Sequence, residues 1–260
     1  MTEQINTGSD GTAVELGFES FMMLLEKGIP NEGFRVVDVN DQVVASDGRV
    51  ADGTEGIWRT LKDYRYQLTI TSVAGNGAED NRFLWLGPDG CVSAQTVLTS
   101  EVSAPPSFVL KSHQLSSRYA VLFDLSDLTP IADKDFTSND SVKIDAETWE
   151  NLVLEPGEED KLHKAQQDVA AAVREVSPGV AGDVTQGLYE QVVVASEKHT
   201  ENGPKPIATA WVSTPHGYLS FYSEPRKIFG SSHYLQPTDA WVLYMMAAHQ
   251  LPSQQQISAW

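Results

Sequence analysis

The chain holds a single cysteine, Cys91, so it makes no internal disulfide. That residue's place in an alternating apolar strand marks it as a buried, inert thiol, which fits a reducing compartment. Basic residues are scarce: 18 Lys and Arg stand against 36 Asp and Glu, for a net charge of −18. A surface of that sign repels phosphate backbones and anionic lipid, which argues against nucleic-acid and membrane-surface partners. No window has the uninterrupted apolar length needed to span a bilayer. Met1 to Gly11 carries no Lys or Arg and no apolar stretch, so it lacks the pattern of a secretory leader. The expectation is a soluble, cytoplasmic protein.

Reactive motifs are also missing. The six histidines (His113, His163, His199, His216, His233, His249) are scattered, with no i, i+4 pair and no cysteine cluster to complete a zinc site. Asp38-x-Asn40-Asp41 lacks the sixth-position glycine and terminal Glu of a calcium loop. There is no Gly-x-Ser-x-Gly elbow, no phosphate-cradling Gly-x-x-x-x-Gly-Lys and no Gly-x-Gly-x-x-Gly. With 36 acids in the chain, a carboxylate pair carries no information about acid–base chemistry. No cofactor, no metal and no enzymatic activity are expected.

What is present is a pattern stated twice. Residues 67–98 and 188–223 share a strand, a polar loop, a strand carrying a Trp, a Pro-x-Gly turn and a further strand. The first copy contains Trp85-Leu86-Gly87-Pro88-Asp89-Gly90; the second contains Trp211-Val212-Ser213-Thr214-Pro215-His216-Gly217, with one more residue before its turn. Val121-Leu122-Phe123 follows the first copy and Val242-Leu243-Tyr244 the second, each in a helical segment. The expected fold class is α/β (α+β): two quasi-symmetric halves, 12–128 and 145–250, related by internal duplication. Each is a mainly antiparallel sheet with flanking helices, and the two pack as one globular unit. Trp85 and Trp211 are expected to be buried in equivalent positions.

Between these blocks the spacing predicts further elements. A helix from Val14 would turn Phe18, Phe21, Met22 and Leu25 inward. Residues 34–46 alternate as a strand pair or extended loop, and Thr54 caps a helix that buries Ile57, Trp58 and Leu61. Leu115, Tyr119, Leu122 and Leu125 define a helix over 115–128. Asp145 opens a helix, and Glu158–Val176 carries Leu162, Ala165, Val169, Val173 and Val176 on one stripe. A helix opens at Pro237-Thr238-Asp239, and the tail from Pro252 is expected to be loose.

The order of these elements, with certain phrases, resembles the EspG family, cytosolic chaperones of ESX (type VII) secretion. The phrases are Val14-Glu15-Leu16…Glu19…Leu24-Leu25, the strand–loop–strand block at 67–98, and the run Ile207–Ser220 with its Thr214-Pro215-His216-Gly217 turn. The last is Leu235-Gln236-Pro237-Thr238-Asp239 before the C-terminal helix. The chain departs from the family where the first half's typical helix, and a basic residue near Gly187-Leu188-Tyr189, are missing or shortened. The resemblance implies a non-enzymatic chaperone. Its partner would be a secreted helical substrate, a PE–PPE-like or WXG-like heterodimer, kept soluble and selected for export.

Two polar loops are the expected contact points, because long hairpin connections are kept for function or disorder. Asn76, Ala78, Glu79, Asp80 and Asn81 lie in the first, Ala74–Asn81; Lys198 and Asn202 lie in the second, Lys198–Lys205. The resemblance points to the first loop and the adjoining sheet face. Two other functions stay open at this level. One is an immunity or inhibitor protein capping a toxin; the other is a small-molecule enzyme assembled from Asp89, His216 and Glu224.

Overall fold

The structure, a computed structural model, describes residues 12–27, 34–38, 43–45, 54–97, 106–131, 140–153, 157–200, 203–225 and 231–260. The chain opens with β1 (Thr12–Gly17), α1 (Phe18–Lys27), β2 (Phe34–Asp38), β3 (Val43–Ala45) and α2 (Glu55–Lys62). An antiparallel run follows: β4 (Tyr66–Ala74), β5 (Glu79–Gly87), β6 (Gly90–Val97) and β7 (Ser107–His113), closed by α3 (Arg118–Ser126). After β8 (Val142–Ile144) come α4 (Ala146–Glu150), α5 (Glu159–Val173) and α6 (Pro178–Thr185). A second run holds β9 (Glu190–Thr200), β10 (Gly203–Thr214), β11 (Gly217–Pro225) and β12 (Ser231–Thr238), then α7 (Ala240–Ala248) and α8 (Gln254–Ile257).

All the strands join one twelve-stranded sheet in the order β3-β2-β1-β7-β6-β5-β4-β9-β10-β11-β12-β8. The seam is the antiparallel pair β4–β9, with Leu68 opposite Ser196 and Ala74 opposite Glu190. Outward from it, each side runs through three consecutively connected strands and then ends its run on a helix, α3 or α7. The two sides therefore share the same local order of strands and closing helix.

The two faces are covered differently. On the second face one apolar cluster crosses the seam: Leu68, Ile70, Leu84 and Leu86 join Val192, Val194, Trp211 and Tyr218 under α3 and α7. On the first face there are two separate clusters. One holds Val14, Leu16, Phe83, Trp85 and Phe108 beneath α1 and α2; the other holds Val212, Leu219 and Leu235 beneath α5 and α6. Period-2 alternation is what sends β4's Leu68 and Ile70 to the second face and Thr69 and Thr71 to the first.

Several expectations change. The pattern from Val14 is a strand first: Val14 and Leu16 pair with Leu110 and Phe108 of β7, and the helix starts only at Phe18. Its phase therefore shifts, burying Phe21 and Leu24 and leaving Phe18, Met22 and Leu25 exposed. Tyr119 likewise faces outward from α3, while Val121, Leu122 and Leu125 are buried. Pro237 belongs to β12, opposite Leu219, so α7 begins at Ala240. The tail is not loose: Ser253 and Gln256 form a capping box on α8 and Ile257 is buried. Thr54 and Asp145 make no side-chain capping hydrogen bond.

Trp85 and Trp211 are both buried, at 2% and 0% exposure, but on opposite faces. Trp85 lies in the cluster beneath α1 and α2, stacked on Phe83, with its Nε1 donating to Gln67 Oε1 at 3.1 Å. Trp211 lies in the cluster beneath α3 and α7. The cause is the extra residue before the second turn: Trp85 stands two positions before Gly87, Trp211 three before Thr214, and one step inverts a strand residue's face.

Cys91 is buried, and burial pushes its thiol up to about 12. Opposite it in register, His113 is pushed down to about 4 by burial and by Lys111, while its Nε2 shares a hydrogen bond with Ser93 Oγ at 2.8 Å. The imidazole is thus neutral in the fold but protonates near 6.5 in the unfolded chain. Its stabilising contribution is whole above pH 6.5 and is lost as the pH falls toward 4, on the order of 3 kcal/mol. Urea unfolding of the wild type and of His113→Gln across that range measures it. The variant is expected to lose less stability on acidification; parallel pH curves would show that His113 does not titrate in this way.

Candidate partner-binding surface

Between the two clusters of the first face the seam is left open. Register pairs place Thr69 opposite Ala195 and Thr71 opposite Val193. They also place Ala208 opposite Ala195 and Ala210 opposite Val193. Thr69, Thr71, Val193 and Ala195 are half-buried and Ala208 is exposed, and no helix among the described residues lies over them. The result is a trough with a floor of small side chains in the middle of a large sheet. From β5 to β10 it spans three strand spacings, roughly 14 Å, against the ~10–12 Å of an α-helix with its side chains. At the Ala74 end it stops at Gln191, which is buried against α4, so its open length from Gln67 to Thr71 is roughly 16 Å.

Each wall is a packed unit. On one side stand Trp85 and Phe83, with Phe21 and Phe108 behind them. On the other, Trp149 of α4 stacks on Phe221 at 4.1 Å and Phe221 on His233 at 5.7 Å. Gln191 Nε2 donates to the Trp149 carbonyl, tying that wall to the floor.

The expected loops lie at opposite ends of this trough, and both are shorter than expected. β4 and β5 pair as far as Val73–Glu79, leaving only residues 75–78 as the connection. Its glycines serve fit rather than freedom. Gly75 N donates to the Tyr189 carbonyl at 2.9 Å, and a Cβ there would meet the Gly187 oxygen at 2.5 Å. Gly77 has φ +83°. Asn76 Oδ1 accepts from Ala78 N at 3.0 Å, closing the turn on itself. Asn76 also lines a cleft of about 650 Å³ with Leu188, Thr129 and Ile131.

Glu79, Asp80 and Asn81 are strand residues, not loop residues. Glu79 accepts from Asn81 Nδ2, and Asn81 Oδ1 accepts from Thr71 Oγ1 at 2.9 Å, which puts Asn81 on the trough floor. Asp80 points to the second face, where it pairs with Arg82, whose Nη1 donates to the Leu125 carbonyl at 2.7 Å. Asp80 thus reaches α3 only through Arg82.

The second loop is mostly hairpin. β9 and β10 pair out to Thr200–Gly203, with Lys198 opposite Lys205. Asn202 and the Lys198 side chain lie outside the described residues. Beyond Ser196 this hairpin has no register partner in β4, so Glu197–Thr200 and Gly203–Pro206 pair as a two-stranded arm. The loop-like residues Gly203 and Pro204 belong to β10, in a stretch that pairs only with β9.

Asp89, His216 and Glu224 are not brought together. Asp89 is in the β5–β6 turn at the Tyr66 end of the seam, and His216 is in the β10–β11 turn at the Ala74 end. Glu224 lies far along β11, opposite Ser232. His216 instead anchors its turn: its backbone N and Nδ1 both meet the buried Asp183 of α6, at 3.1 and 2.9 Å. Among the described residues no group of three or more His, Cys, Asp or Glu could hold a metal ion. No helix among them is long and apolar enough to cross a membrane.

No family model and no curated protein matches the sequence. The fold has a counterpart among solved structures. The chain is similar to one in the structure of the Mycobacterium tuberculosis type VII secretion system chaperone EspG5 in complex with the PE25–PPE41 dimer. It is 11% identical, with 92% of this chain and 97% of that chain covered and a TM-score of 0.51. At that identity the likeness establishes the fold: an EspG5-like α+β architecture along nearly the whole chain.

Proposed function

We propose that this protein is a cytoplasmic, non-enzymatic chaperone of type VII secretion that binds a PE–PPE-like helical heterodimer and keeps it soluble for export. The supporting observation is the EspG5-like fold along nearly the entire chain, in a structure whose chaperone is bound to a PE25–PPE41 dimer. The trough supplies a matching shape. Helical hairpins awaiting export expose apolar tips, and a helix-wide channel with small floor residues, on a rigid sheet, can shield one. The 75–78 turn closes one end and the β9–β10 arm the other. The acidic surface adds selectivity and steering more than affinity.

Co-expression with a PE–PPE-like pair encoded next to this gene tests the reading, with a stoichiometric complex expected on purification. Replacing 198–205 by an Asn-Gly turn is then expected to weaken binding about tenfold, roughly 1.4 kcal/mol. Thermal stability should hold, because the arm's residues pair only with each other beyond the seam. Failure of neighbouring PE–PPE-like pairs to co-purify with the intact chain would sink the chaperone reading.

A further inference from the structure

The seam parts at its Tyr66 end. β4 and β9 pair from Ala74–Glu190 to Leu68–Ser196 and go no further. Past that point β4 stays with β5, where Tyr66 lies opposite Leu86 and Arg65 N donates to the Leu86 carbonyl at 2.8 Å. β9 stays with β10 out to Thr200–Gly203. Among the described residues no strand pairs with the β4 side of β9 from Glu197 to Thr200. About half of the N–H and C=O groups of that stretch point across the gap, because a strand turns them to alternate sides.

The gap has a cleft on each face of the sheet. On the first face, one of about 680 Å³ is lined by Tyr64, Gln67 and Pro206, and the trough-floor residues Thr69 and Ala195 line it too. On the second face, one of about 410 Å³ is lined by Ile207, Leu251, Pro252, Ala259 and Trp260. Arg65, Tyr66 and Glu197 line both, so the two clefts flank one gap. The second-face cleft is mostly apolar, and its buried polar groups are already committed. The Tyr66 hydroxyl donates to the Gln250 carbonyl at 2.7 Å, and Gln250 Nε2 donates to the Val194 carbonyl and to Thr209 Oγ1.

We propose that an extended segment of the cargo enters this gap and adds to the arm as a third strand, pairing with β9 along Glu197–Thr200. The proposal rests on the chaperone reading and gives that site a second mode of contact, beside the helix in the trough. Three features favour this occupant. The first is backbone chemistry: an open strand edge is matched along its length by another extended backbone. The second is alternation. A strand sends successive side chains to opposite faces, and the gap offers a cleft on each. The second-face cleft takes a large apolar side chain; the first-face cleft, with Gln67 and Glu197, takes a polar one. The third is continuity. Thr69 and Ala195 belong both to the trough floor and to the first-face cleft, so a chain leaving the trough reaches the gap directly. Four extended residues then cover the free edge, roughly 13 Å. A second copy of this chain fits worse. Two molecules of net charge −18 repel, and the outermost strands of the sheet, β3 and β8, have three residues each.

Hydrogen exchange of the intact chain, free and in complex with the PE–PPE-like pair, tests the added strand residue by residue. Amides within Glu197–Thr200 that face the gap are expected to slow by about tenfold or more on binding. Ala259→Trp, at an exposed position lining the second-face cleft, should weaken cargo binding by about tenfold, because the indole fills the space for the apolar side chain. A cargo complex with unchanged exchange at all four residues overturns the added strand and leaves the trough reading standing. Full affinity in Ala259→Trp does the same, because an added strand must place a side chain on that face. A pair that fails to bind the intact chain at all overturns the chaperone reading, and the added strand with it.

Discussion

Trp211→Ala is expected to lower the stability of the protein by about 3–5 kcal/mol, seen as a melting temperature about 10 °C lower. The side chain is 0% exposed, within the cluster that spans the seam. Its removal leaves a cavity whose walls come from both sides of the sheet and from the two helices above, so local collapse cannot fill it. Trp85→Ala is expected to cost a similar amount by a separate route, through the aromatic group of Phe21, Phe83 and Phe108 on the opposite face. Urea denaturation with tryptophan fluorescence measures both. An unchanged midpoint for Trp211→Ala would mean that the cluster does not join the halves as described. With losses this large against a total stability of about 5–15 kcal/mol, either variant is also expected to accumulate less well in cells.

Filling the trough is the sharpest test of where cargo binds. Ala195→Trp and Ala208→Trp each place an indole on the floor, the first half-buried and the second exposed. The pair should lower affinity for the cargo by at least about 100-fold, on the order of 3 kcal/mol, because a helix can no longer reach the sheet. The melting temperature should move by only about 2 °C, since the space above these positions holds no packed helix among the described residues. Isothermal titration with a purified PE–PPE-like pair gives the number. Full affinity in both variants would exclude the trough and leave the ends of the seam as the contact.

The limits of each hairpin show how much was legible in the chain. The turn signals Gly87-Pro88-Asp89-Gly90 and Thr214-Pro215-His216-Gly217 fall where the structure turns, because their chemistry is local. The polar stretches at 74–81 and 198–205 carry the composition of loops, yet Glu79–Asn81, Lys198–Thr200 and Gly203–Lys205 are strand. There the backbone pairing of long hairpins overrides side-chain preference, and β propensity is set by neighbours more than by residue type. Asp80 looked like a surface carboxylate and is instead the partner of Arg82, a contact set by which face of β5 it occupies.

Composition and pattern by themselves determined the class of this protein. One cysteine, a net charge of −18 and two strand–turn–strand blocks, each followed by an apolar helix, define an acidic α+β chain without a disulfide framework. These follow from local rules of periodicity and turn chemistry. Only the tertiary structure decided that β4 and β9 meet as a seam, that one face there is sealed by α3 and α7 while the other stays open, and that Trp85 and Trp211 look in opposite directions. Those outcomes rest on strand parity and on which helices return to which face. Parity changes with one inserted residue, and helix placement depends on contacts between residues far apart in the chain, so neither is written in any local stretch of it.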